Sequence, residues 1–266
     1  MPTVRAGGIE LYYEQHGDGP DLVLVMGLGA HLGAWAQQTP VFAREFRVTV
    51  FDNRGAGRSA APDEPYSIGQ MADDTVALLD VLKIDRAHVV GASMGGMDAQ
   101  EMAINHPDRV DRVVLACTRA RAGEVRHILA PAQTALLDTD LDPIQRAVLS
   151  MPWSYTSAFM SDSRRVLAAL ELRKKDPYPI QPHAYRRQQA AVMAHDTVDR
   201  LNRIAAPAMV LVGAEDILTP VEESVELAKR IPGAHLRILP RGGHAFFAEY
   251  PAEVNNAVLD FLKRAD

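Results

Sequence analysis

A chain of 266 residues, 47% hydrophobic and 23% charged, has enough apolar material for one large core and too little charge to stay disordered. Its net charge of −6 comes without a basic tail or stripe, which excludes the electrostatic footprint of a nucleic-acid binder. No apolar run reaches membrane-spanning length, and Met1 to Glu10 lack a basic segment followed by an apolar one, so a cytoplasmic chain without a membrane partner is expected.

Short β-branched and aliphatic runs alternate with longer helical patterns, the signature of a mostly parallel sheet covered on both faces. Strands are expected at Ile9–Glu14, Asp21–Met26 and Phe46–Asp52, with a helix over His31–Arg44 between the last two. A helix then starts at Ser67, whose hydroxyl can cap the first turn while Gln70 reaches back; Ile68, Met71, Thr75, Leu78, Leu79 and Leu82 form its apolar stripe. The strand Ala87–Gly91, the helix Ser93–Asn105 and the strand Val110–Ala116 follow. Cys117, the one cysteine, ends that apolar run and reads as a small buried core residue.

From Thr118 to Arg203 the rhythm breaks: no strand is visible, prolines interrupt, and amphipathic runs such as Ser163–Lys174 and His183–Met193 point to a helical insertion. The alternation resumes with strands at Ala208–Gly213 and His235–Leu239 and helices at Pro220–Arg230 and Pro251–Lys263. Residues 1–117 and 204–266 should therefore form one α/β core of about eight strands, with 118–203 inserted as one unit.

Gly91-Ala92-Ser93-Met94-Gly95 lies between an expected strand and an expected helix. A sharp strand-to-helix turn strains its central residue and leaves no room for side chains two positions either side, which explains both glycines and lifts the Ser93 hydroxyl clear of the sheet. A serine needs a base to take its proton. His244, in Arg241-Gly242-Gly243-His244 after the last strand, sits where strand carboxyl ends converge. His88 and His235 begin strands, at the opposite end, and His106 precedes a proline; His31, after Gly27-Leu28-Gly29-Ala30, is a candidate to line the pocket. An acid must hold the imidazole, and Glu215 and Asp216 both follow the penultimate strand. The backbone N–H groups of Leu28 and Met94 are the candidate oxyanion donors. Gly27-Leu28-Gly29 lacks the third glycine and the lysine of a nucleotide loop, and no metal-ligand spacing occurs, so neither cofactor nor metal is expected.

With Gly27-Leu28-Gly29, Trp35, Asp52–Ser59, Gly91–Gly96, Gly213-Ala214-Glu215-Asp216, Pro220 and Gly243-His244 in place, the chain resembles the α/β-hydrolase superfamily along nearly its whole length. It is similar within it to the enol-lactonase, acyl-homoserine-lactone hydrolase and small carboxylesterase group, and to the carbon–carbon hydrolases of meta-cleavage products. The resemblance implies Asp216 as the acid, a small ester or lactone as substrate, and a role for residues 118–203 as a cap that selects it. Trp153, Tyr155 and Phe159 of that cap, with Ile217 and Phe246, become candidates to line an apolar acyl pocket. Thirteen Lys and Arg against nine Asp and Glu between Arg119 and Arg203 give the cap a basic bias that could steer an anion. Met26-Gly27 stands where many relatives have His-Gly. Two alternatives stay open: a carbon–carbon hydrolase, and a ligand-binding receptor on the same fold. A homodimer is also left open.

Overall fold

The computed structural model describes residues 3–264; Met1, Pro2, Ala265 and Asp266, where the expected core begins and ends, lie outside the described residues. No helix in it is long and apolar enough to cross a membrane.

The chain opens with β1 (Thr3–Ala6) and β2 (Ile9–His16), then β3 (Asp21–Val25), α1 (Thr39–Phe42), β4 (Arg47–Phe51), α2 (Ile68–Val81), β5 (Ala87–Ala92), α3 (Met94–Asn105) and β6 (Val110–Ala116). The insertion carries α4 (Glu124–Ala135), α5 (Pro143–Ser154), α6 (Ser157–Met160), α7 (Ser163–Lys174) and α8 (Pro182–Ala194). The core closes with β7 (Ala208–Gly213), α9 (Val221–Arg230), β8 (His235–Leu239), α10 (Phe246–Glu249) and α11 (Pro251–Leu262).

Eight strands form one sheet in the order β1-β2-β4-β3-β5-β6-β7-β8. Pairing is antiparallel at β1–β2 and β2–β4 and parallel from β4 onward. Strands β5 and β7 are buried at every position, as their unbroken apolar runs require when helices cover both faces. One apolar cluster gathers Val23, Val89, Leu115 and Val210 with α2 and α3, and a second gathers Leu24, Val90, Val114 and Leu211 with Trp35, Phe42 and α11. Alternate strand residues thus feed opposite faces.

Three expectations change. Strand β1 is not among the expected strands; it pairs with β2 through a two-residue turn in which Gly7 and Gly8 take φ of 57° and 82°, the left-handed values such a turn needs. The helix expected over His31–Arg44 is instead a 3-10 turn at Leu32–Trp35 followed by α1. Pro40 lies in the first turn of α1, where its missing N–H is harmless; inside a longer helix it would clash with the preceding turn. The short α10, between the last strand and α11, is also an addition. Ser67 caps α2 by accepting from Gln70 N at 3.1 Å.

The insertion leaves and re-enters the core through a neck, where Arg121 and Asp196 form an isolated antiparallel bridge and Thr197 N donates to Ala120 O at 3.0 Å. Gln100, fully buried on α3, locks both ends: its Nε2 donates to Arg119 O at 3.0 Å, and its Oε1 accepts from Thr197 Oγ1 at 2.6 Å. The helix that follows Ser93 therefore also anchors the insertion.

Candidate active site

Ser93 follows β5 and precedes α3 with φ of 57° and ψ of −119°, a conformation that costs a non-glycine residue on the order of 1–3 kcal/mol. The turn is that tight because its backbones touch. A Cβ at Gly91 would lie 2.1 Å from Gly95 O, and one at Gly95 would lie 2.1 Å from Val25 O. Thr118 Oγ1 donates to Ser93 O at 2.7 Å and secures the strained residue from β6's side.

Three side chains from distant parts of the chain meet here. His244 Nε2 lies 2.9 Å from Ser93 Oγ, and its Nδ1 lies 3.0 Å from Asp216 Oδ2. Asp216 is held in turn: its Oδ1 accepts from Leu218 N and Thr219 N, both at 2.8 Å, and its Oδ2 accepts from Thr219 Oγ1 at 2.6 Å. Burial pushes the Asp216 carboxyl up, but His244 beside it, the hydrogen bond to that ring and the Thr219 donors together hold it below its ordinary value. An ionised Asp216 fixes the tautomer with the proton on Nδ1 and leaves Nε2 to accept from the serine hydroxyl. Glu215 is exposed and accepts from Gly242 N at 3.3 Å, so it has no part in this chain of bonds.

The loop after β3 passes over the nucleophile. A Cβ at Gly27 would stand 2.8 Å from Ser93 Cβ and 3.3 Å from its Oγ. Gly29 N, next to Leu28, donates to Gln188 Oε1 at 2.9 Å, and Met94, the residue after the serine, is the first of α3. Leu28 packs against Met94, Met97, Tyr66, Ala191 and Val192, an apolar cluster joining core loops to α8.

The remaining candidates are scattered. Phe246 is fully buried in the core with Trp35 and Phe42, and this corrects its assignment to an acyl pocket: α10 turns its ring under the sheet. Ile217 is 60% exposed and Trp153 38% exposed. Tyr155 stacks on Phe159 at 4.2 Å, and the Arg165 guanidinium lies 4.6 Å above the Phe159 ring. His31 accepts from Gly33 N through Nδ1, which leaves Nε2–H to donate to Asp176 Oδ1 at 3.1 Å, a bond from core loop to insertion. Cys117 is buried with a φ of 40°; burial, with Asp216 nearby, pushes its thiol far up, which makes it a poor nucleophile.

Sequence reasoning missed several residues. Thr219 was legible in principle, since a threonine three after an aspartate commonly returns its N–H and hydroxyl to that carboxylate. Gln188, which joins Gly29 N to Arg54 O at 2.7 Å, gave no signal because it acts across the fold. Arg119, whose Nη2 donates to Leu218 O at 2.6 Å, supports the Asp216 turn from the neck.

A hydroxyl, an imidazole and a buried carboxylate in line at the carboxyl edge of a doubly covered sheet define a hydrolytic type of enzyme. A family model described as alpha/beta hydrolase fold matches residues 20–251. A relative from Caulobacter sp. (strain K31), named provisionally as the carbamate hydrolase RutD, is 36% identical and covers 97% of this chain and 98% of its own. The 3-oxoadipate enol-lactonase 2 of Acinetobacter baylyi is 33% identical, covering 98% and 96%. The enol-lactonase from Burkholderia xenovorans LB400 superposes with a TM-score of 0.85 at 32% identity, covering 99% of this chain and all of its own. The chain belongs to the α/β-hydrolase fold family and is a hydrolase.

Proposed function

We propose that this hydrolase cleaves a small carboxylic ester or lactone through an acyl-enzyme on Ser93. The single observation that carries the reading is the unbroken line from Ser93 Oγ through both nitrogens of His244 to Asp216, 2.9 and 3.0 Å apart. His244 takes the hydroxyl proton as Ser93 Oγ attacks the carbonyl carbon, and returns it to the leaving oxygen as the ester bond breaks. A water, deprotonated by the same nitrogen, then attacks the acyl-serine and releases the acid. The Leu28 and Met94 amides receive the oxyanion, and the insertion acts as the cap over it.

The names of the relatives support two acyl classes: lactones, from the enol-lactonases, and carbamates, from the RutD name. The same triad serves both, because a carbamate differs only in having nitrogen on its carbonyl carbon. The departure of the family's loop from His-Gly to Met26-Gly27 puts an apolar side chain, 4% exposed, behind the oxyanion residue. Stopped-flow hydrolysis of a 4-nitrophenyl ester should give a burst equal to one nitrophenolate per chain, followed by a slower steady state. A linear trace with no burst at any ester concentration, together with no acyl adduct by mass spectrometry, would refute the acyl-enzyme. Turnover of a five-membered lactone against a phenyl carbamate then separates the two classes.

A further inference from the structure

Thr118 and Arg119 are consecutive residues at the start of the insertion, and they reach opposite ends of the triad. The Thr118 hydroxyl donates to Ser93 O at 2.7 Å, at the nucleophile, while Arg119 Nη2 donates to Leu218 O at 2.6 Å, in the turn that presents Asp216. That turn is tied to the acid directly, because Leu218 N donates to Asp216 Oδ1 at 2.8 Å. The Arg119 backbone is fixed as well: its carbonyl accepts from Gln100 Nε2 at 3.0 Å. A path of hydrogen bonds thus runs from the neck of the insertion, through one guanidinium, to the carboxylate that orients His244.

A guanidinium is a costly donor in this place. Arg119 is 4% exposed, and its Nε is closed off from solvent without a hydrogen-bond partner among the described residues. Holding one carbonyl needs only a neutral donor, so a buried cation in that position calls for an anion close by. Glu223 of α9 supplies it: its Oε1 accepts from Arg119 Nη1 at 3.3 Å. Burial pushes the Glu223 carboxyl above its ordinary value and Asp216 adds to this, while Arg119, Arg126 and His244 favour its charge. Glu223 also lies in the first turn of α9, where unpaired backbone N–H groups favour a carboxylate. The charged groups that act on the acid end of the triad are therefore Glu223 from α9, Arg119 from the neck and, through Glu223, Arg126 from α4. Cys117, at the end of β6, also feels Asp216, but burial keeps its thiol neutral.

We propose that Arg119 and Glu223 are a positioning pair for the triad: Arg119 holds the turn that aims Asp216 at His244, and Glu223 cancels its charge, so that the imidazolium formed during acylation is not opposed by a nearby cation. Neither side chain touches the reacting atoms. The inference rests on the Ser93 chemistry proposed above and adds the residues that keep its acid end in place.

The test is the pH profile of kcat/KM for a 4-nitrophenyl ester from pH 5 to pH 9. Arg119→Met removes the donor and the cation, so kcat should fall about 10-fold with KM little changed. The same change leaves Glu223 uncancelled, which favours the protonated ring, so the acidic limb should move up by about 0.5–1 pH unit. Glu223→Gln, equal in shape, leaves Arg119 uncancelled and should move that limb down by a similar amount. The double variant should return the limb to its wild-type place with kcat still low, and Arg119→Lys should keep the limb and recover part of kcat. A limb that stays put in either single variant, or moves the same way in both, would overturn the proposal and leave the pair a structural contact. If Arg119→Met does not fold, the isosteric Glu223→Gln and the charge-keeping Arg119→Lys still decide it, the first by a lowered limb and the second by an unmoved one. The His244 ring signals, followed by NMR over the same pH range, need no turnover and should move with the variants in the same two directions. If no ester is hydrolysed yet those signals follow the pair, the Ser93 reading fails and the pair stands. If esters are hydrolysed with a burst and neither measurement responds to the pair, the pair fails and the Ser93 reading stands.

Discussion

The sheet edge that carries Ser93, Asp216 and His244 and the helical insertion above it are held together by different means. Around the nucleophile the backbone itself is packed: Gly91, Gly95 and Gly27 leave no room for a Cβ, and β5, β6 and β7 are buried almost throughout. In the insertion α7 has no buried residue, and Ile128, Leu167 and Leu172 are 74%, 62% and 75% exposed. Apart from the apolar cluster that Ala191 and Val192 of α8 share with core residues, its hold on the core is a set of polar clasps: Gln188 to Gly29 and Arg54, His31 to Asp176, Arg187 to Asp63, His183 to Ala61 O, and Thr156 to Glu249 at 2.6 Å. Close packing cannot shift by a fraction of an ångström without strain, whereas clasps of this kind break and re-form one at a time. The proposed acyl-enzyme chemistry thus assigns acylation to the core and the choice of substrate to the insertion.

Substitutions that sharpen this contrast fall in a clear order. Ser93→Ala removes the nucleophile and should lower kcat by about 10⁴–10⁶, read from steady-state ester hydrolysis; near-normal turnover would dismiss the core as the seat of chemistry. Asp216→Asn keeps the shape but favours the wrong imidazole tautomer, and should cost about 10⁴ in kcat with KM little changed. A change of only a few-fold would mean that Thr219, 3.1 Å from His244 Nδ1, can orient the ring alone. Gln188→Leu strips the clasp from Gly29 N and Arg54 O, weakening the hold of α8 on the core loops by about 1–3 kcal/mol, so KM should rise more than kcat falls. An equal loss in kcat would show that the insertion belongs to the chemistry after all.

The smallest effect lies beneath the nucleophile helix. Asp98, fully buried on α3, accepts from Asn53 Nδ2 at 3.2 Å and faces Thr75 Oγ1 at 3.4 Å, a hydroxyl that already donates to Met71 O at 3.0 Å. Burial, with the like charge of Asp74, pushes the Asp98 carboxyl up to about 8 against the Asn53 and Thr75 hydrogen bonds, which favour its charged form. The native protein then holds a proton that the unfolded chain releases near pH 3.8, so this group's contribution to stability is complete below that pH and is lost as pH rises through about 8. Asp98→Asn imitates the protonated acid, and its stability relative to wild type should increase from pH 5 to pH 9 in urea titrations. Parallel pH profiles for the two proteins would mean that Asp98 is ionised throughout.

What could be read from the sequence follows the same division. Strands β6, β7 and β8 begin and end where their apolar runs and flanking Gly, Pro and His residues indicate, because burial on a parallel sheet leaves a pattern in consecutive residues. Helix α7 also occupies the expected Ser163–Lys174, its start marked by the Asp162 cap. Glycine spacing around Ser93 was legible because it records a turn a few residues long. Residues that act across the fold left no such trace. Gln188 takes its meaning from Gly29 and Arg54, far away in the chain, and Phe246, an aromatic near His244 in sequence, is buried in the core. Pro40 did carry a local warning against one long helix over His31–Arg44, and the Gly7-Gly8 pair signalled the hairpin that β1 completes.

The most direct test of the triad is labelling with a fluorophosphonate, followed by peptide mapping. A nucleophile activated by His244 and Asp216 predicts a single stoichiometric adduct on Ser93, abolished in the folded Ser93→Ala protein and strongly slowed by Asp216→Asn. A folded wild-type chain that stays unlabelled, or takes the label at another residue, would contradict it.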